Sequence, residues 1–143
     1  MTPIDELQRI IYIELSKLPQ NFNIIHYRLG DTYLLTNTTM IAVKHYNHFI
    51  THYKPNDMVI SDSSLFKQFI KHNHPNVICY DYPICHLGHP SSNESTIKHT
   101  LLEWFIATYS KFLKSYSIYE WNSGFIYSIH KVYNIPLEFS RLS

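Results

Sequence analysis

Cysteine is scarce in this chain, charge is nearly balanced, and no stretch stays apolar for long. Each shortage excludes something. Cys79 and Cys85, the 2 cysteines among 143 residues, do not make a disulfide framework. A formal charge of +1, from 12 basic and 11 acidic side chains, removes the electrostatic ground for nucleic acid or an anionic membrane as partner. No run reaches the roughly 18 apolar residues of a membrane span. The acidic opening Met1-Thr2-Pro3-Ile4-Asp5-Glu6 lacks the apolar stretch of a signal peptide, so the expected location is cytoplasmic. Neither internal repeats nor low-complexity tracts nor an interdomain linker interrupt the sequence, which reads as one domain over 1–143. With 45% hydrophobic and 16% charged residues, the chain has the composition to fold around a core.

Apolar spacing then lays out the elements. Thr2-Pro3-Ile4-Asp5 is a helix start with a hydroxyl cap, a proline at the first position and a carboxylate in the first turn. Ile4, Leu7, Ile11, Leu15 and Leu18 recur at helical spacing until Pro19, which makes 1–20 a lead-in helix. Phe22 to Tyr27 reads as a buried strand. A helix follows from Thr38 or Thr39 through Phe49, then a strand over Met58-Val59-Ile60 closing in Ser61-Asp62-Ser63. A short Ser-capped helix to Ile70, a strand over Val77 to Tyr80, a loop from Pro83 to Ser95 and a helix from Thr96 to Lys111 come next. Ser115 to Tyr119 is a last short strand, and a final helix runs from Gly124 to before Pro136. Strands alternating with helices predict an α/β fold: a Rossmann-like parallel sheet with helices on both faces. Ligands of such sheets bind beyond the carboxyl ends of the strands.

His26-Tyr27-Arg28-Leu29-Gly30-Asp31 stands at one of those ends. The Arg28 guanidinium is a planar, permanently charged fork suited to phosphate or diphosphate, Gly30 permits a tight turn, and Asp31 can hold the arginine in place. Asn122, Ser123 and Gly124 would place backbone N–H groups and a hydroxyl at a helix N-terminus, a second phosphate-type feature.

The run H-Y-R-L-G-D resembles the H-x-R-x-G-D motif of the GDP-fucose-dependent fucosyltransferases, which include the α1,2- and α1,6-fucosyltransferases and the protein O-fucosyltransferases. Three further pieces follow in the family's order. Val59-Ile60-Ser61-Asp62-Ser63 resembles its second strand, and Thr100-Leu101-Leu102-Glu103-Trp104-Phe105 a helix carrying an acid between apolar residues. Ser117 to Phe125 resembles its closing strand and Ser-Gly-Phe turn. The resemblance spans Ile24 to Pro136 and implies one half, the donor-binding C-terminal half, of a GT-B glycosyltransferase. It implies that Arg28 grips the donor diphosphate and is the catalytic residue neutralising the leaving group, with His26 against the nucleotide. It further implies a guanine contact by Glu103, where the family carries Asp, and donor-side contacts by Gly30, Asp31, Asp62, His86, Asn122, Ser123, Gly124 and Phe125.

The expected function is therefore a fucosyltransferase-like donor domain for GDP-fucose or another GDP-sugar, inactive alone and completed by a homodimer or a separate acceptor-domain partner. The competing reading is a nucleotide-binding relative that transfers nothing. Residues 32–39 contain no carboxylate, so no catalytic base is assigned. The 10 histidines are read as solvated or as loop residues, including His45, His48 and His52 on one helix face, because zinc would require four convergent ligands. No cofactor or metal is implied.

Overall fold

The computed structural model describes residues 3–30, 38–80, 94–121 and 123–142. In chain order the elements are α1 Pro3–Ser16, β1 Asn23–Arg28, α2 Thr38–His52, β2 Asp57–Ser61 and α3 Ser64–Asn73. They continue as β3 Ile78–Cys79, α4 Glu94–Ala107, β4 Leu113–Ser117, α5 Gly124–Tyr133 and β5 Leu137–Arg141. The strands form one five-stranded sheet in the order β3-β2-β1-β4-β5, every pair parallel. The chain is a Rossmann-like α/β protein.

Helices cover both faces because the central strands are apolar on both sides, and alternation assigns each residue to a face. Ile24, Met58, Ile60 and Leu113 pack with Ile11 of α1, Leu102 and Ile106 of α4, and Ile126 and Ile129 of α5. Ile25, Tyr27, Val59 and Tyr116 pack with Phe49 of α2 and Phe66 and Ile70 of α3. Tyr27 is the hub of that second layer: its ring lies 4.9 Å from Phe66 and 5.3 Å from Tyr116. No helix among the described residues is long and apolar enough to cross a membrane.

The strand order fixes where the sheet opens. The chain builds outward from β1 through β2 to β3, then returns to the far side of β1 for β4. The strand order reverses between β1 and β4, and the carboxyl ends of these two strands are where a sheet of this kind has its crevice.

Several boundaries shift from the sequence expectation, and one strand was not expected. The fourth helix stops at Ala107 instead of Lys111. Thr108 and Ser110 turn their hydroxyls onto the carbonyls of Phe105 and Ala107, and Tyr109 and Ser110 make tight i→i−3 backbone bonds. The fourth strand starts at Leu113, two residues early, because Leu113 pairs with Ile24 in the core. The fifth strand was not expected. Leu137-Glu138-Phe139-Ser140-Arg141 has only two apolar residues and no β-branched one, and it is largely exposed at the sheet edge.

Candidate functional site

The crevice begins with the last residues of β1. His26 and Arg28 project from the same face of the strand, two residues apart. His26 is 3% exposed; its Nδ1 lies 3.0 Å from the Ser115 hydroxyl, and its ring is parallel to Phe125 at 6.3 Å. Burial, helped by the Arg28 charge, lowers its pKa to about 3, so the imidazole is neutral. His26 thus forms the wall under Arg28, where α5 docks on the sheet.

Arg28 is half-buried. Its Nε is buried and has no hydrogen-bond partner among the described residues. Its guanidinium carbon lies over the Tyr119 ring, 5.2 Å from the centroid. A buried cationic donor without an acceptor is costly, and an anion arriving at the crevice would meet it.

The turn after β1 is built for close approach. Gly30 has φ of +76°, and a Cβ there would run into the Tyr119 hydroxyl. Asp62, following β2, accepts the N–H groups of Leu29 at 2.8 Å and of Gly30 at 3.0 Å. The carboxylate that shapes this turn is therefore Asp62, which acts on the site through the backbone. Asp31, expected from sequence to hold Arg28 in place, lies outside the described residues, as do His86 and Asn122.

Ser123 caps α5, but its hydroxyl accepts from the Phe125 N–H at 3.2 Å and is thereby used within the helix. At Gly124 a Cβ would meet nothing within 4 Å, so the first turn of α5 borders open space. Phe125 contributes its ring to His26.

Glu103 stands on the other flank, over the β2–β3 side. Its charge reaches Lys67 of α3 and Tyr80 after β3. Glu103 is 0% exposed, and neither carboxyl oxygen has a hydrogen-bond partner among the described residues. Burial pushes its pKa up to about 8, against the opposing charge of Lys67, itself 0% exposed on α3. Tyr80, which follows β3, is shifted upward by its own burial, by its bond to Glu14, and by Glu103 as well.

The structure thus joins His26, Arg28, Gly30, Asp62 and Phe125 around the β1 exit and sets Glu103 apart toward β2 and β3. Sequence reasoning missed Tyr119, Trp121 and Lys67. Lys67 had a signal: it falls three residues before Ile70, on the stripe of α3 that Phe66 and Ile70 bury. Tyr119 and Trp121 had none, because only the β1–β4 register brings them beside Arg28.

The histidines of α2 are not all solvated. His45 is 2% exposed, and His48 places Nδ1 2.7 Å from the Tyr27 hydroxyl while stacking on His52 at 4.0 Å. Burial first, then neighbouring charge, lowers His45 and His48 to about 4. They serve the Tyr27 layer of the core. Set against known proteins, the chain matches no family model, no curated protein and no solved structure.

Proposed function

We propose that this chain binds a guanosine diphosphate sugar, as the donor-binding domain of a fucosyltransferase-like glycosyltransferase. The observation that carries the reading is Glu103: a buried carboxyl group whose two oxygens have no hydrogen-bond partner among the described residues. Guanine presents two adjacent donors, N1–H and the exocyclic amine, that match the two oxygens of Glu103 once the carboxyl group, protonated at neutral pH in the free protein, releases its proton to solvent on binding. Adenine and uracil lack that pair. Arg28 supports the same reading from the centre of the sheet, since its Nε–H, without an acceptor among the described residues, and its guanidinium fork suit the diphosphate. In transfer, the acceptor oxygen would bond to the anomeric carbon as the bond to the diphosphate breaks, and Arg28 would stabilise the departing charge.

Asp62, the carboxylate at the β1 exit, has both oxygens engaged by backbone N–H groups and is a poor base for the acceptor hydroxyl. The acceptor and its base would come from a second copy or a separate domain. The same observation favours, as the second reading, a nucleotide-binding protein without transferase activity. Calorimetry against GDP, UDP and ADP tests the proposal. GDP should bind at least about tenfold more tightly, the smallest effect of losing a hydrogen bond to a charged group. Equal affinity for the three would remove Glu103 and the GDP reading together. Labelled GDP-fucose with glycan and peptide acceptors separates the two readings by turnover.

A further inference from the structure

Trp121 is 61% exposed, yet it is held in a defined place. Its ring stacks on Tyr119 with centroids 5.1 Å apart and planes 20° from parallel. Tyr119 is fixed in turn by the Arg28 guanidinium over its ring and by Gly30, where a side chain would strike the phenol hydroxyl. The other tryptophan, Trp104, is half-buried and donates its indole N–H to Ser128 at 2.9 Å. An exposed indole at the end of such a chain of contacts is preorganised, and it stands at the carboxyl edge of the sheet after β4.

Its position relative to the two polar groups sets what it can meet. Arg28 ends the central strand β1, Glu103 lies toward β2 and β3, and Trp121 follows β4 on the opposite side of β1. A ligand with its diphosphate on Arg28 and its base on Glu103 must extend its remaining group toward Trp121. Next to the indole in sequence, Glu120 pairs with Arg141 at 3.0 Å, offering an acceptor and donors to hydroxyl groups. We infer that the indole of Trp121 is a platform for the apolar face of the donor's pyranose ring, with Tyr119 positioning both this platform and Arg28. The inference rests on the nucleotide-sugar reading above and adds to it the subsite that distinguishes GDP-sugar from GDP.

Calorimetric titration of the wild type, Trp121→Ala and Trp121→Phe with GDP and with GDP-fucose tests this. Trp121→Ala should weaken GDP-fucose about four- to fifteenfold, the value of burying one or two CH groups, and leave GDP unchanged. Trp121→Phe should keep most of the sugar's contribution. Equal loss for both ligands would place the base on Trp121 and overturn the platform, and so would no loss for either. If the wild type binds neither ligand, the nucleotide reading fails first and the platform with it.

Discussion

Two carboxylates among the described residues are completely buried, and the chain supplies a cation to only one of them. Asp57, at the start of β2, is 0% exposed; its Oδ2 accepts from the Lys114 ammonium at 2.6 Å and from the Lys54 N–H at 2.8 Å, while its Oδ1 has no hydrogen-bond partner among the described residues. Lys114 also reaches the His52 carbonyl at 3.3 Å, tying α2 to the amino edge of the sheet. Glu103 is equally buried, and among the described residues neither of its oxygens has such a partner. Lys67 only moderates the upward shift of its pKa. A carboxylate that serves the fold is supplied with its cation by the fold. One left bare in the interior costs stability, and under the proposed function that cost is recovered when a ligand supplies the missing donors.

The comparison breaks most visibly at Asp57. Asp57→Ala should leave the Lys114 ammonium, 13% exposed, without its partner and destabilise the protein by about 3–5 kcal/mol. Urea denaturation at neutral pH measures it; a loss under about 1 kcal/mol, the value of a surface pair, would make Asp57 no better supported than Glu103.

Glu103 should behave the other way. Its folded pKa of about 8 stands above the ordinary 4.5, so between those values the folded chain keeps a proton that the unfolded chain has released. Stability from this group is full below the unfolded value and falls as pH rises through that window. Glu103→Gln should therefore stabilise the protein progressively toward pH 8, by on the order of a few kcal/mol. Thermal melting across pH reads this directly. A variant that loses stability at every pH would show that the carboxylate has partners after all.

Arg28→Lys sharpens the comparison from the ligand side. A point charge cannot reproduce the fork, and GDP affinity should fall by about 1–3 kcal/mol. Stability should fall less, through the lost contact with Tyr119. Collapse of the melting temperature with affinity retained would make Arg28 a structural residue.

The smallest effect concerns the acid limb. His45 and His48, lowered to about 4, stay neutral in the folded state while the unfolded chain protonates near 6.5. Their contribution is present above that unfolded value and is lost as pH falls toward 4. His48→Phe should flatten the acid limb of a stability–pH curve; an unchanged slope would release His48 from the Tyr27 layer.

Much of this was legible in the sequence, for identifiable reasons. The apolar runs at Ile24-Ile25 and Met58-Val59-Ile60 gave their strands, and strand–helix alternation gave the parallel sheet. The Ser63 cap was also readable: its hydroxyl accepts from the Phe66 N–H at 3.2 Å. Edge strand β5 was not legible, because pairing to β4 stabilises it while its own composition does not. Within the site, Arg28 and Gly30 stood out by chemistry and backbone demand. The engagement of Asp62 with the β1 exit, the Tyr119–Arg28 contact and the burial of Lys67 depend on segments tens of residues apart. Local spacing carries no information about such contacts.

The central claim is that the two bare oxygens of Glu103 receive the two donors of guanine. The direct measurement compares GDP with inosine diphosphate, which lacks the 2-amino group, on the wild type and on Glu103→Leu. The wild type should prefer GDP by about tenfold or more, as a lost hydrogen bond to a charged acceptor requires. The Glu103→Leu variant should bind both weakly and with little preference. Retention of the full GDP preference in Glu103→Leu, or its absence in the wild type, would contradict the assignment.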